Sequence, residues 1–344
     1  MRIHLLLAVF VAVMTISVGP LRAQQLVAVV KESLLIDTKN HVYSISLSHD
    51  EKKIALALRD RIQIRSLFDG SVISELTGRA GGKHTRMQFV NNDTELKAPL
   101  QFLKDSKKQG RVRKWNVATG KPTETIDLPG ETQFYTGFSQ DARVLLVSPE
   151  IPASKSMRVW DLTTGEQIIL KADGFFWRSA YICPKKKTLV TLHPHELWIW
   201  DYPSGKIRHK VALKKRPSTI GFEVSFSADG KLFLYTYPMG YVTIWDAFTG
   251  KQSVAGRFSF GGAHRHLLFP DGTHILVNSS GKGVGEESDL YVYDTRKRVA
   301  VMRLQGTPRR MEQADLVISR DGTLVAQSTA TGTISIWKLP RLQP

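Results

Sequence analysis

The sequence predicts an all-β ring built from seven copies of one sheet unit. Three observations predict it. An apolar-alternating strand that ends in an aromatic residue, often followed by Asp and a turn closing on Gly, recurs along the chain. A second tight-turn sequence precedes each copy by roughly twenty residues, after another apolar strand. The copies keep one register at a period of about 40–50 residues, the mark of a repeat architecture.

The first element is a leader. Arg2 and His4 give a polar start, Leu5 to Val18 is apolar and uncharged, Pro20 breaks the run, and Ala23 supplies a small residue for cleavage. Fourteen apolar residues are short for a bilayer span, which favours a cleaved signal over a retained anchor. The expected organisation is a signal peptide at 1–23, an N-terminal segment with a ring-closing strand at 24–41, the repeats at 42–340 and a tail at 341–344. The expected location is secreted or periplasmic.

Composition sets further bounds. With 344 residues, 42% hydrophobic and 23% charged, the chain has the ordinary make-up of a folded protein that can bury a core. A prior of two domains from length alone is weak for a repeat fold. One cysteine, Cys183, excludes an internal disulfide and a cysteine-based zinc site. It sits in the apolar run Ala180-Tyr181-Ile182 and reads as a buried, inert thiol. The net charge of +17 and a pI near 9.9 favour anionic partners without choosing among nucleic acid, acidic polysaccharide, anionic lipid and acidic protein.

The repeats can then be read in order. The clearest Trp-centred copies are Val159-Trp160-Asp161 closing on Gly165, Ile199-Trp200-Asp201 closing on Gly205, and Ile244-Trp245-Asp246 closing on Gly250. Lys114-Trp115-Asn116 closes on Gly120. Val292-Tyr293-Asp294 loses the glycine, and Ile336-Trp337-Lys338 ends the series. The first copy is the weakest, with Arg65 in place of the aromatic before Gly70. The second turn signal is sharpest at Phe226-Ser227-Ala228-Asp229-Gly230, and recurs at Phe269, Ile318 and Phe138. Looser versions stand at Leu47, Phe89 and Cys183.

These residues resemble the WD40-repeat family, over Val42 to Leu339. The resemblance implies a seven-bladed β-propeller, one four-stranded blade per repeat around a central channel. In the first blade the strands read near Val42–Leu47, Ile54–Leu58, Arg61–Ser66 and Val72–Leu76. Third strands alternate throughout, as in Ile62 with Ile64 and Leu197 with Ile199, while the Trp residues take the opposite parity. Both faces of a blade are therefore apolar, as a sheet between two neighbours requires. The last repeat has three strands, so the segment Leu26–Ile36 is expected to supply its outer strand and close the ring. The family's Gly-His pair is absent and its turn Asp survives at best as Asp60, so its buried His–Asp–Ser/Thr–Trp network is expected to be mostly missing. The chain reads as a divergent, bacterial, exported member held by apolar packing.

Catalytic chemistry needs converging groups, and the sequence shows no nucleophile elbow or paired carboxylates. No catalytic, metal or cofactor residue is assigned. His193-Pro194-His195-Glu196 reads as a solvated loop rather than a metal set. His264 and His266, two apart at the start of an inner strand, share a face on paper and could aim at the channel; a polar strand entry is the alternative. Gly281 to Gly285 lacks the strand–loop–helix setting a phosphate site needs.

Family geometry places inter-blade and second-to-third-strand loops on an upper face and the other turns below. Lys214, Lys215, Arg216, Arg309 and Arg310 then fall above, with Lys104, Lys107, Lys108 and Lys282. Lys52-Lys53, Lys185 to Lys187 and Arg296 to Arg298 fall below. Phe175, Phe176 and Trp177 enter the fourth blade from above, and Tyr237, Met239 and Tyr241 occupy the fifth blade's upper loop. Aromatic and cationic residues together suit a partner offering a stacking surface and negative charge, so these eleven upper positions form the expected partner site on blades four to six, with packing of the rings as the alternative. The expected function is a non-enzymatic protein-interaction scaffold outside the cytoplasm. The second reading is a binder of acidic glycan or nucleic acid, and the third a propeller hydrolase or lyase using channel histidines.

Overall fold

The computed structural model describes residues 27–77, 86–104, 107–131, 134–139, 141–148, 156–171, 180–183, 187–193, 195–213, 224–237, 241–258, 263–279, 289–306, 315–329 and 331–343. They form seven sheets, each of four consecutive strands or completed from the N-terminus. Two short strands come first, β1 (Ala28–Lys31) and β2 (Leu34–Asp37). Blade 1 is β3 (Ser44–Leu47), β4 (Lys53–Ala57), β5 (Arg61–Ser66) and β6 (Val72–Thr77). Blade 2 is β7 (Gln88–Val90), β8 (Glu95–Lys104), β9 (Lys107–Asn116) and β10 (Pro122–Glu131). Blade 3 is β11 (Phe134–Phe138), β12 (Val144–Ser148), β13 (Ser156–Asp161) and β14 (Gln167–Lys171). Blade 4 is β15 (Ala180–Cys183), β16 (Thr188–Leu192), β17 (Glu196–Asp201) and β18 (Lys206–Ala212). Blade 5 is β19 (Val224–Phe226), β20 (Leu232–Tyr237), β21 (Tyr241–Asp246) and β22 (Gln252–Arg257). Blade 6 is β23 (Ala263–Leu268), β24 (His274–Ser279), β25 (Asp289–Asp294) and β26 (Val299–Gln305). Blade 7 is β27 (Leu316–Ile318), β28 (Leu324–Ser328) and β29 (Thr333–Lys338), completed by β2. The fold is a seven-bladed β-propeller.

Apolar periodicity becomes packing at the blade boundaries. The buried side chains form seven clusters, one per boundary. Ile62 and Ile64 point from blade 1 toward blade 2, where Trp115, Leu96 and Ala98 meet them. Met157 and Val159 meet Trp200, and Leu197 and Ile199 meet Trp245. Trp337 of blade 7 faces Leu290 and Val292 of blade 6. Third strands thus send alternate residues forward, and five of them send a Trp backward, with Tyr293 in that place in blade 6. Two of these Trp residues also bond across the boundary. Trp115 Nε1 donates to the Thr77 carbonyl at 3.3 Å, and Trp337 Nε1 to the Gln305 carbonyl at 2.8 Å. Trp200 Nε1 donates to Thr191 Oγ1 at 2.8 Å, and that hydroxyl lies 3.0 Å from His193 Nε2. Blade 4 therefore contains a buried Trp–Thr–His chain, its histidine supplied from just beyond β16.

The turn signals have a hydrogen-bonding cause. After four of the third strands an Asp carboxylate or Asn carboxamide oxygen accepts the next backbone N–H groups: Asp246 Oδ1 takes Phe248 at 2.8 Å and Thr249 at 2.7 Å, and Asp161, Asp294 and Asn116 do the same. The Gly four residues on closes the turn onto the Asp carbonyl, and in blade 6 Arg298 takes that place at φ 57°. Gly120 sits at φ +69°, and a Cβ there would strike the Glu75 carbonyl oxygen of blade 1. In the inner turns Ser48, Ser139, Ser227 and Ser319 each donate to an Asp two residues on and accept the N–H that starts the next strand.

Ring closure uses the N-terminal segment twice. β2 pairs antiparallel with β29 and completes blade 7, as expected. The upstream part differs from expectation: β1 pairs parallel with β26 and becomes a fifth strand of blade 6. A single strand from Leu26 to Ile36 would span one blade only. Instead the chain steps across at Glu32 and Ser33, whose N–H groups bond Gln305 and Ile336 carbonyls on the two blades. On the inner side, Asp315 of blade 7 accepts the Ser44 hydroxyl and the Ile45 N–H of blade 1. Glu51 meets the Thr323 hydroxyl across the same seam, where burial and the neighbouring Asp321 push its carboxyl upward.

Two glycine substitutions separate backbone strain from blade contact. Gly165 has φ +75° and open space at its Cβ position. Gly165→Ala is expected to cost about 1–2 kcal/mol from the left-handed backbone alone. Gly120→Ala adds the Glu75 collision and is expected to cost about 3 kcal/mol or more. Urea unfolding of both variants measures the difference; equal losses would contradict the boundary packing.

Candidate binding surfaces

First-to-second and third-to-fourth strand turns gather on one side of the ring, here the lower face. The other connections gather on the upper face. In all seven blades the residue after the third strand donates its N–H to the inner turn, as Leu67 does to Lys52 and Leu339 to Thr323. The lower face is a tied set of turns. Lys52, Lys187, Arg296, Lys297 and Arg298 lie there as expected, while Lys185 and Lys186 lie outside the described residues.

Much of the expected partner site falls outside the described residues: Phe175, Phe176, Trp177, Lys214, Lys215, Arg216, Met239, Arg309 and Arg310. So do Lys282 and the Gly281–Gly285 loop. Tyr237 and Tyr241 are brought together as the terminal pair of β20 and β21 at the upper edge of blade 5. The Tyr241 ring packs against the blade 4–blade 5 core, which is the packing alternative at that position.

The histidines resolve differently from their sequence setting. His193 is buried, stacked on Trp198 at 3.9 Å and held by Thr191, so it belongs to the core rather than to a solvated loop; His195 is exposed. The backbone of β23 has a β-bulge between Ala263 and Arg265, at the position of His264. Blade 6 contributes Leu267, Leu268 and Pro270 to the channel wall. His266 is 1% exposed, level with Val277 on the side facing blade 5, and its Nε2 has no partner among the described residues. The His264 side chain lies outside them.

Sequence reasoning missed two His–carboxylate pairs. His274 Nδ1 lies 2.6 Å from Asp271 Oδ2 within one inner turn. His49 Nδ1 lies 2.8 Å from Asp93 Oδ1, and Asp93 also accepts the backbone N–H groups of His49 and Asp50, clamping the inner turns of blades 1 and 2 together. The histidine beside a turn Asp was the available signal for the first pair. The second joins different repeats and left none. A comparable lower-face link joins Tyr202 of blade 4 to Asp161 of blade 3 at 3.3 Å; burial and that carboxylate push the phenol up to about 12. Among the described residues no group of three or more His, Cys, Asp or Glu is arranged to hold a metal, and no helix is long and apolar enough to cross a membrane.

The inner strands of all seven blades enclose a central channel of about 400 Å³. Ser46, Gln88, Tyr181, Ser225, Leu267 and Val317 form one collar, and Leu47, Phe138, Phe226 and Ile318 the next. Cys183 lies in this wall, 2% exposed.

No protein-family model matches the chain, and no curated protein matches it. What the geometry defines is the class, a seven-bladed β-propeller.

Burial pushes the His266 imidazole down to about 4, so the folded protein resists a proton that the unfolded chain accepts near 6.5. The folded form is favoured above pH 6.5, and that advantage is lost as pH falls from 6.5 toward 4. The expected loss is up to about 3 kcal/mol across this window. Urea midpoints between pH 7 and pH 4 should show it, and His266→Gln should flatten the slope.

Proposed function

We propose that the chain is a divergent WD40-type propeller that acts outside the cytoplasm as a non-enzymatic scaffold, receiving a protein partner on its upper face. The observation that carries this reading is the departure of blade 2 from the others. Its β8, β9 and β10 are ten residues long, whereas strands of the other blades have three to seven. The β8–β9 pairing continues to Lys104 opposite Lys107, on the upper side. Four added residues per strand raise this arm by roughly 13 Å. A packed ring gains nothing from such an arm, whereas a docking surface does.

The disposition of reactive groups supports the same reading. Asp161, Asp246, Asp294, His193, His274 and His49 all serve turns, cores or blade contacts. The apolar leader sequence at 1–23 supports export, and the aromatic and basic residues from Phe175 to Arg310 that the resemblance implies for the upper face support a partner with an anionic, ring-accepting surface. Fold alone does not fix function, so the partner site is what must be tested.

The test is quantitative affinity capture from extracts of the native host. Replacing Phe102–Gln109 by a two-residue Asn-Gly turn, which keeps Gln101 opposite Gly110, or changing Lys214 and Lys215 to Glu, is expected to reduce the principal captured protein at least tenfold while the unfolding midpoint stays put. Undiminished capture by both variants would refute the upper-face site. Capture of nucleic acid or acidic glycan instead, with affinity falling steeply as salt rises, would favour the polyanion reading.

A further inference from the structure

The channel has a polarity that the scaffold reading does not use. Its wall contains no Asp or Glu among the described residues, in a chain with 31 of them. The carboxylates nearest the inner strands are engaged elsewhere: Asp141, Asp229 and Asp321 accept from their turn serines, and Asp315 from Ser44 and Ile45. The lining includes two arginines, Arg86 toward the upper mouth and Arg320 toward the lower, where His49 is paired with Asp93. A low-dielectric tube with cations at its mouths and no anion in its wall concentrates positive potential along its axis.

The wall is also graded. The Leu47, Phe138, Phe226 and Ile318 collar is apolar and partly exposed to the lumen. One level above, Ser225 Oγ accepts the Leu268 N–H at 2.7 Å, which leaves its own proton for the lumen. The Ser46 hydroxyl has no partner among the described residues. The volume of about 400 Å³ lies within the range of pockets that bury small ligands.

We propose that the central channel is a binding site for a small anionic amphiphile, with its apolar body in the Leu47–Phe138–Phe226–Ile318 collar and its acid group among the hydroxyls and the arginine at a mouth. The probe is 8-anilinonaphthalene-1-sulfonate, compared with N-phenyl-1-naphthylamine, which has a similar body and no charge. Fluorescence titration of the full chain is expected to give one saturable sulfonate site, with the neutral analogue at least tenfold weaker. Ser225→Trp and Ser46→Phe, from different blades, should each abolish that site. Arg320→Glu should weaken the sulfonate several-fold and leave the neutral analogue unchanged. Phe68→Ser with Phe248→Ser, which removes the two most exposed aromatic residues among those described, should have no effect. Unchanged binding in a folded plugged variant, or loss of binding in the Phe68/Phe248 variant, would overturn the proposal. Should neither plugged variant fold, a crystal of the natural chain soaked with the sulfonate decides by the presence or absence of density in the channel.

Discussion

Every blade of this protein is apolar on both faces, and that single constraint organises the molecule. A sheet carrying Ile62 and Ile64 on one side and Leu56 and Ile54 on the other cannot shed water with one neighbour. Each boundary supplies one buried cluster, so an open row of blades would leave one greasy face at each end. Closing the row removes both. β2 on blade 7 and β1 on blade 6 are the means of closure, and Trp337 fastens the same boundary by donating to Gln305 beneath the crossing.

The fold was legible because the repeat carries its own physical cause. Trp160, Trp200 and Trp245 mark the rearward face of a third strand, Asp161 and Asp246 cap the turn that follows, and Gly165, Gly205 and Gly250 accept its positive φ. Even the weak first copy obeys the scheme. Ser66 caps with its hydroxyl where Asp is missing, and Arg65 bonds the Gly70 carbonyl. What escaped was non-local. The split of the N-terminal segment between two blades depends on partners nearly three hundred positions away. The burial of His266 against blade 5 depends on how β23 pairs with β24, which residue spacing does not encode.

The candidate surfaces were legible only in part, for a related reason. Basic and aromatic residues in the connections announce exposure but not convergence, and Tyr241 shows a ring read as a contact packing into a blade boundary. The long arm of blade 2 stood in the sequence as an extended distance between Phe89 and Trp115, compared with the shorter run from Phe226 to Trp245. The channel could not be foreseen, because its character rests on which carboxylates turn away from it.

Ring closure can be tested through Ile36, which is buried between blades 7 and 1 and meets Gly70. Placing a charge there by Ile36→Asp attacks the closing strand at the seam of blades 7 and 1 and leaves the side chains of blades 2 to 6 untouched. If the blades depend on one another through a shared ring, equilibrium unfolding followed by tryptophan fluorescence, which reports blades 2 to 5 and 7, should keep a single transition and move as a whole to lower urea. A transition unmoved by the substitution, or one in which blades 2 to 5 hold their midpoint while blade 7 alone is lost, would contradict the closed-ring account.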